Sequence, residues 1–332
     1  MYDVELSFRG LSAAACCCTP VLKPLGTSIQ STVRTSTCHL KKSASYSIIV
    51  LSPNFKRKRE IFMNVTDFFV QGDDIVLRQS ELDLDQTLDC GQAFRWERIS
   101  PDTYHGYFLN NELTISELQE KGVFKLHNVS EEQFRSVWFD YFDLGSDYSK
   151  MIETLSEDET LSKAVKQYRG TRILRQDPWE TISSFIISQN NNIPRIKLII
   201  SRLCEHYSAY PSFEDMKAET VDTLSYLRAG FRAKYIVDAV GRFNSGEMTT
   251  EKIKTLSTDD ARDELMKIKG VGPKVADCAL LFGFHKLDAF PKDVWVKRVM
   301  AQYYPDGLPE CTKGIEGVAQ QYLFQYIRTV KT

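Results

Sequence analysis

The sequence predicts an α+β fold, in which a small antiparallel β-sheet domain is followed by an all-helical domain. Two observations predict it. Residues 63–128 contain short apolar runs bounded by Gly, Pro, Asn or Asp, which is typical of strands joined by turns. After Ser130 the apolar residues recur at helical spacing, and strands followed by a run of helices are typical of the α+β class. A chain of 332 residues with 42% hydrophobic content is long enough for two such domains.

The individual elements follow from where the apolar runs begin and end. The predicted strands of the sheet lie at 75–77, 93–98, 103–109, 112–115 and 123–126. Four bulky residues after Ser130 are expected in the core: Trp138, Phe139, Tyr141 and Phe142. From Glu157 onwards the chain is nearly all helical, with breaks expected near Gly170, Asp177-Pro178, Pro211, Gly230, Gly270 and Pro291. We therefore predict a β-rich domain over residues 63–155 and a helical domain over residues 156–332.

Residues 1–62 differ from the rest of the chain. They carry nine basic and three acidic residues, a cysteine triplet and a basic run at 56–59, without sustained helical or strand periodicity. Three interpretations compete: a disordered tail, a targeting peptide rich in Arg and Ser, and a segment upstream of the true start codon. A clean domain pattern opens at Met63, which favours the third.

Composition excludes several classes of protein. No apolar run reaches the roughly 18 residues that a membrane span needs. The eight cysteines show no paired zinc spacing, which predicts an intracellular protein with free thiols and no metal. Residues 63–332 carry 33 basic and 41 acidic residues. If this part binds DNA, it must use a local basic patch and backbone amides rather than net charge.

A helix, a glycine turn and a second helix are predicted within residues 260–282. Gly270 and Gly272 permit a tight turn around Val271, and Pro273 suits the first position of the following helix. Unpaired backbone amides at a helix start bind phosphate without requiring positive side chains. The turn is therefore a candidate DNA phosphate site, with an ordinary helical hairpin as the alternative.

Lys274 and Asp293 add chemistry to this hairpin. Lys274 lies in the first helical turn, where the helix dipole disfavours a cation, so its presence there favours a functional role. Asp293 follows nineteen residues later and is well placed to cap a helix over 294–300, as Asp259 or Asp260 is for the helix before the turn. Capping alone is the alternative for Asp293, but an amine and a carboxylate beside one phosphate site favour catalysis.

This arrangement resembles the helix-hairpin-helix DNA glycosylase superfamily, whose signature is such a hairpin followed by a Gly/Pro stretch and a catalytic Asp. A lysine at 274 marks the bifunctional branch, which forms a covalent intermediate, and Cys278 resembles the 8-oxoguanine DNA glycosylase family. The matching residues are Gly270-Val271-Gly272-Pro273-Lys274-Val275-Ala276-Asp277-Cys278 and Pro291-Lys292-Asp293-Val294.

Four further segments agree, so that the resemblance covers roughly residues 65–330. They resemble, in chain order, the family's sheet-domain motif, its DNA-wedge segment, the segment that contacts the orphaned base, and the C-terminal pocket helix. The segments are Cys90-Gly91-Gln92-Ala93-Phe94-Arg95-Trp96, Ser188-Gln189-Asn190-Asn191-Asn192-Ile193-Pro194-Arg195, Gly230-Phe231-Arg232-Ala233-Lys234-Tyr235 and Ala319-Gln320-Gln321-Tyr322-Leu323-Phe324.

The resemblance implies a bifunctional enzyme of base-excision repair, which excises 8-oxoguanine opposite cytosine and cleaves the strand at the abasic site. It implies that Lys274 attacks the sugar and that Asp293 assists. The implied base pocket consists of Gly91, Cys278, Gln320 and Phe324. The implied contacts to the DNA and the opposite base are Asn190, Arg195, Phe231 and Arg232. The implied phosphate-binding hairpin is Gly270, Val271 and Gly272.

No metal or organic cofactor is implied, and the expected partner is double-stranded DNA containing 8-oxoguanine. We expect a monomer without membrane contact, located with the DNA: in the cytoplasm or nucleoid of a bacterium, or in the nucleus of a eukaryote. Two positions depart from the eukaryotic members. Trp295 stands where they carry His, and Phe231 replaces the more usual Tyr wedge. These departures concern base and lesion preference rather than the chemistry.

Other functions fit the residues less well. A sister branch with an iron–sulfur cluster needs four clustered thiolates, whereas Cys311 is the only cysteine after Asp293. The alkylation-repair branch lacks the lysine, so Lys274 argues against it. A non-enzymatic DNA-binding hairpin would not explain Lys274, Asp293 and Gln320 together. A thiol enzyme built on Cys278 is disfavoured, because a cysteine on an apolar helix face is usually buried and inert.

Overall fold

The computed structural model describes residues 67–329, which begin with a six-stranded antiparallel sheet. The strands lie side by side in the order β1-β2-β6-β5-β4-β3. Their bounds are β1 Asp67–Gln71, β2 Asp74–Arg78, β3 Trp96–Ser100, β4 Thr103–Phe108, β5 Asn111–Glu117 and β6 Val123–His127. The predicted sheet is therefore confirmed. Strand β1 was not predicted, because it is an edge strand with no buried residue and so shows no alternation of apolar and polar positions.

Helices follow the sheet and fill the rest of the described chain. Their bounds are α1 Leu84–Leu88, α2 Glu131–Gln133, α3 Phe139–Tyr141, α4 Tyr148–Leu155, α5 Glu159–Gln167, α6 Pro178–Ser188, α7 Ile193–Tyr207, α8 Ala233–Asn244, α9 Thr250–Thr255, α10 Thr258–Leu265, α11 Pro273–Gly283, α12 Val294–Tyr303 and α13 Glu316–Thr329. A π-helical turn at Phe134–Trp138 joins α2 to α3, and 3₁₀ turns lie at Thr223–Leu227, Gly230–Arg232 and Glu310–Thr312. The predicted α+β class is confirmed.

The helix before the glycine turn differs from its prediction at both ends. Ser257, rather than Asp259 or Asp260, caps α10: its hydroxyl accepts a hydrogen bond from the Asp260 amide at 3.1 Å. The two aspartates instead lie in the first turn, where negative charge complements the helix dipole. The helix ends at Leu265, three residues before the predicted end near Ile268.

Two hydrophobic cores form, one under the sheet and one among the helices. The sheet core contains Trp138, Tyr141 and Phe142 as predicted, whereas Phe139 is only partly buried against it. Trp96 is fully buried in this core, and its indole N–H donates a hydrogen bond to the Tyr141 hydroxyl at 2.6 Å. Helix α4 packs into the helical core, so the helical layer begins before residue 156. The domain limits themselves stay predictions.

A buried arginine joins the two parts of the described chain. Arg172 is fully buried, which is expensive for a charged group unless its donors are satisfied. Its guanidinium donates to the backbone carbonyls of Phe142 and Glu81, each at 2.9 Å, and to that of Asp143. These bonds hold the segment that leads into α6 against the sheet layer.

The predictions for residues 1–62 lie outside the described residues.

Candidate active site

The glycine turn between α10 and α11 is set by close packing against α8. Gly270 has φ +79°, a conformation that favours glycine, and a Cβ added there would lie 2.4 Å from the ring of Tyr235. Val271 is buried, and its amide donates to the Ile268 carbonyl at 3.0 Å. Gly272 is the N-cap of α11 and brings no side-chain cap, and Pro273 occupies the first turn as predicted. Pro273 has no amide and the Val275 amide donates to the Gly272 carbonyl at 3.0 Å, so the Gly272 and Lys274 amides are the ones available to a phosphate.

Helix α11 carries Lys274 on a wall made with α6. The rings of Phe185 and Phe282 stack at 5.5 Å, and the Lys274 ammonium lies 5.2 Å above the Phe185 ring. The two helices approach closely at Gly283, where an added Cβ would come within 3.1 Å of the Pro178 backbone. Lys274 is thus half-buried, with its amine beside an aromatic wall.

Cys278 lies one helical turn after Lys274. Its thiol is buried, and burial raises its pKa to about 11, while the neighbouring Lys274 ammonium lowers it by a smaller amount. A thiol with this pKa stays protonated at neutral pH and is a poor nucleophile. Cys278 therefore offers a small apolar surface rather than a reactive thiolate, which agrees with setting aside a thiol enzyme.

Asp293 caps α12, as predicted, and faces the same cleft as Lys274. Its carboxylate accepts a hydrogen bond from the Val296 amide at 2.7 Å, which uses one oxygen and fixes the side chain. Asp293 is half-buried at the helix start, where the dipole stabilises a negative charge. The cap and the exposure to the cleft are compatible, because a carboxylate has two oxygens that can accept hydrogen bonds.

A cleft of about 1320 Å³ brings several of the predicted site residues together. Its wall includes Lys274 and Asp293 with Gly270, Gly272 and Asn190, and Val294 and Met300 contribute apolar surface. The hairpin, the amine, the carboxylate and the predicted wedge residue thus share one concave surface. Of the predicted phosphate-binding residues, Val271 does not line the cleft; its side chain packs into the helical core.

Charged residues that the sequence reasoning missed also line this cleft. The cations are Arg262, Lys292, Lys297 and Lys313. Arg262 is held by Asp277, with 2.5 Å between its Nε and the carboxylate, and burial raises the pKa of Asp277 while Arg262 lowers it. Sequence gave no signal for Arg262, because Asp277 lies fifteen residues away and on the next helix. Arg262 is paired with Asp277 and Lys313 with Glu310, so the positive charge on the cleft wall comes mainly from Lys274, Lys292 and Lys297.

None of the four predicted base-pocket residues lines this cleft. Cys278 and Gln320 are buried, and Phe324 is half-buried with the Arg328 guanidinium 5.0 Å above its ring. Gly91 has φ +92°, and an added Cβ would lie 3.5 Å from Ile193. The Gly91 loop is fixed by Gln92, whose buried amide bonds to backbone groups at both ends of the segment 172–174.

Gln321, which sequence reasoning did not single out, contacts Gln320 directly. The Gln321 Nε2 donates a hydrogen bond to the Gln320 Oε1 at 2.8 Å, and both side chains are at least 95% buried. The Gln321 Oε1 is buried and has no partner within residues 67–329. The doublet of glutamines was the signal in the sequence, but only the packing of α13 shows that the second one faces the first.

The predicted DNA contacts cluster around the loop that precedes α7. Asn190 is exposed with φ +47°, and Arg195 is exposed in the first turn of α7. The Phe231 side chain is 45% exposed, as a wedge requires, and the guanidinium of Arg232 lies 4.5 Å above its ring. Arg232 itself is buried and donates to the backbone carbonyls of Gln189 and Asn190. Contacts of these four residues with an opposite base stay predictions.

Within residues 67–329, no group of His, Cys, Asp and Glu side chains is arranged to hold a metal ion. No helix in that range is both long enough and apolar enough to cross a membrane.

Known proteins are similar to this chain in sequence and in structure. A sequence model of the 8-oxoguanine DNA glycosylase N-terminal domain matches residues 74–182. The N-glycosylase/DNA lyase of Saccharomyces cerevisiae is 30% identical over 270 residues, which are 69% of this chain and 70% of the relative. The structure of Clostridium acetobutylicum 8-oxoguanine glycosylase/lyase, in complex with double-stranded DNA containing cytosine opposite 8-oxoguanine, is 37% identical. It covers 80% of this chain and 99% of that one, with a TM-score of 0.74.

Proposed function

Because this chain belongs to the 8-oxoguanine DNA glycosylase family and is a DNA glycosylase and abasic-site lyase, we propose that it excises 8-oxoguanine opposite cytosine through a Lys274 Schiff base. The observation that carries the proposal is the cleft that Lys274 and Asp293 share with the Gly270–Gly272 turn. An amine, a carboxylate and a phosphate site on one wall are the parts that this reaction needs.

In the first step the neutral Lys274 amine attacks C1′ of the damaged nucleotide, and the bond from C1′ to the base breaks. The base departs with the bonding electrons and is protonated. Asp293 stabilises the positive charge that develops on the sugar, or accepts the proton that the amine loses. The Val296 amide holds the Asp293 carboxylate in place and so limits the reorganisation that this step requires.

In the second step the aminal opens at the ring oxygen and becomes a Schiff base between Lys274 and C1′. The Schiff base withdraws electrons and acidifies the proton on C2′. Loss of that proton expels the 3′ phosphate, so that the strand is cleaved on the 3′ side by β-elimination. Water then hydrolyses the Schiff base and returns the lysine. No metal and no organic cofactor enters either step.

Lesion recognition requires the nucleotide to leave the base stack, at a cost of a few kcal/mol. We place the flipped base between Cys278 and Phe324, with Gln320 on its Watson–Crick edge and the Gly91 carbonyl accepting from N7–H. Guanine has a lone pair at N7 and would oppose that carbonyl. Such a mismatch costs about 1–3 kcal/mol, so pocket fit and flipping cost have to add to the discrimination.

The remaining contacts position the duplex. Asn190 fills the gap left by the flipped nucleotide, Phe231 wedges the stack, and Arg195 and Arg232 contact the widowed cytosine. The amides at the start of α11 and the cations of the cleft hold phosphates. The enzyme acts as a monomer on chromosomal DNA, in the nucleus or the nucleoid.

Trapping with borohydride tests the proposal. On a duplex with 8-oxoguanine opposite cytosine, borohydride should reduce the Schiff base and link the wild-type protein to DNA covalently. Lys274→Gln should lose the adduct and base release but still bind the lesion duplex. A Lys274→Gln protein that still cuts the strand efficiently would contradict the assignment, and duplexes with the lesion opposite each other base measure the preference for cytosine.

A further inference from the structure

Helix α13 carries two consecutive buried glutamines, although only one of them was assigned to the base pocket. Adjacent helical residues point about 100° apart, so they rarely share a hydrogen bond through their side chains. Here the Gln321 Nε2 nevertheless donates to the Gln320 Oε1 at 2.8 Å. A buried contact of this kind restricts the rotation of both amides, and it calls for a reason beyond packing.

The contact fixes which end of the Gln320 amide is free. Its Oε1 has accepted one hydrogen bond and keeps one lone pair, while its Nε2 has no hydrogen-bond partner within residues 67–329. The opposite orientation would place two NH₂ groups against each other unless Gln321 also turned. Turning Gln321 would bury an NH₂ group where its unpartnered Oε1 now lies. Buried unpaired N–H groups are rarer in proteins than under-satisfied carbonyl oxygens, so the observed orientation is the favoured one.

We propose that Gln321 is a positioning residue that locks the Gln320 amide to read the O6 and N1–H edge of a guanine-type base. The inference rests on the proposed function, in which Gln320 faces the Watson–Crick edge of the flipped lesion. In the locked orientation the Gln320 Nε2 donates to O6 and the remaining lone pair of its Oε1 accepts from N1–H. An adenine-type base presents a donor at position 6 and an acceptor at N1, so both contacts would oppose like groups.

This role explains an unpartnered buried oxygen that would otherwise only destabilise the fold. A buried acceptor without a partner costs about as much as a lost hydrogen bond. A side chain kept only for packing could be any apolar residue of similar length, without that cost. The polar side chain is justified if its NH₂ group serves the neighbouring glutamine, since polar groups that cost stability often serve function.

The test compares bases that differ only at the edge in question. Wild-type and Gln321→Met proteins, as full chains, are assayed in single turnovers on duplexes that contain 8-oxohypoxanthine or 8-oxoadenine opposite cytosine. Both bases keep the C8 oxygen and N7–H; the first has O6 and N1–H, and the second has the reversed donor and acceptor. In Gln321→Met the ratio of the two excision rates should fall roughly tenfold, because the Gln320 amide can turn.

Two controls separate positioning from folding. Gln321→Met removes the unpartnered oxygen, so its Tm should be unchanged or higher. Gln325→Met, a matched change one turn away, loses hydrogen bonds to Gln86 and Thr171 and should lower Tm without altering the ratio. In a Gln320→Met background the further change Gln321→Met should leave the ratio as it is, because Gln321 acts through Gln320.

The outcomes distinguish this inference from the proposed function. If the wild-type protein excises 8-oxoguanine but Gln321→Met keeps the wild-type ratio, the positioning role is wrong and the proposed function stands. If the ratio falls equally in Gln325→Met, the effect is structural and the inference is likewise overturned. If the wild-type protein leaves 8-oxoguanine in the strand, the proposed function fails and the inference fails with it.

Discussion

The guanidinium of Arg232 holds the loop that carries Asn190, donating to the Asn190 carbonyl at 2.9 Å and to the Gln189 carbonyl at 2.7 Å. Asn190 has φ +47°, a conformation that costs free energy for a residue with a side chain and persists only if its surroundings enforce it. The buried arginine supplies that enforcement. The residue expected to contact the opposite base thus also shapes the loop expected to fill the gap.

We therefore expect Arg232→Met to weaken both the fold and lesion binding. Losing hydrogen bonds from a buried charged group should lower the free energy of unfolding by roughly 1–3 kcal/mol. Arg195→Met is the matched control, because Arg195 is exposed: it should weaken binding to the lesion duplex while leaving Tm unchanged. Thermal melting and binding titrations measure the two effects. An unchanged Tm in Arg232→Met would show that the loop does not depend on Arg232.

Asp293→Asn should slow base excision roughly 10²–10⁴-fold, because an amide cannot supply the negative charge or accept the proton. Asparagine is as good an N-cap as aspartate, so α12 should keep its stability and Tm should change little. Single-turnover rates and melting measure the two roles. Asp177→Asn, which changes the cap of α6 away from the cleft, is the control and should retain the wild-type rate within a few-fold. A rate within about twofold of wild type in Asp293→Asn would end the catalytic assignment.

The two glycines of the turn should respond differently to alanine. Gly270→Ala combines φ +79° with a Cβ 2.4 Å from the Tyr235 ring, so Tm should fall and the turn should be distorted. Gly272 has φ −106° and open space around its Cα, so Gly272→Ala should fold normally. The added methyl group would nevertheless stand where a phosphate approaches the helix start. DNA affinity should therefore fall in both variants, and unchanged affinity in Gly272→Ala would argue against phosphate binding there.

Cys278 should resist alkylation in the folded protein. With a pKa raised to about 11, roughly 0.1% of its thiol is ionised at pH 8, and the side chain is buried as well. Iodoacetamide labelling followed by peptide mass spectrometry should find half-buried Cys311 modified well before Cys278. Because burial raises the pKa of the folded thiol above its ordinary value, this thiol contributes stability at neutral pH that is lost as pH rises towards 11. Cys278 labelling as fast as that of Cys311 at pH 8 would contradict this.

Phe324→Ala should separate base recognition from sugar chemistry. If Phe324 stacks on the flipped base, excision of 8-oxoguanine should slow roughly tenfold or more, since stacking on an aromatic ring contributes about 1–3 kcal/mol per base. Cleavage at a pre-formed abasic site needs no base and should remain near the wild-type rate, which makes it an internal control. A common fall of both rates would identify Phe324 as a packing residue of α13.

The sequence by itself determined the local elements of this protein. The Gly270–Pro273 turn, the Asp293 cap and most strands of the sheet depend on local backbone preferences and on apolar periodicity, and the structure has them where the sequence predicts them. The strand predicted at 93–98 is the exception, because β3 runs over Trp96–Ser100. Strand β1 was not predicted, because an exposed edge strand shows no periodic pattern of apolar residues. Ser257, Asp259 and Asp260 are all good N-cap residues, so the sequence did not distinguish between them. The N-cap is Ser257 because α10 begins at Thr258.

Only the tertiary structure decided which side chains act on one another across the chain. Arg232 reaches a loop that lies 43 residues earlier, and Arg262 finds its carboxylate on a different helix. The partner of Gln320 is its neighbour in sequence, yet burial of α13 is what turns the two amides together. Such contacts depend on the position of whole elements and on exclusion of water, which strengthens hydrogen bonds between buried groups, and a local sequence pattern specifies neither.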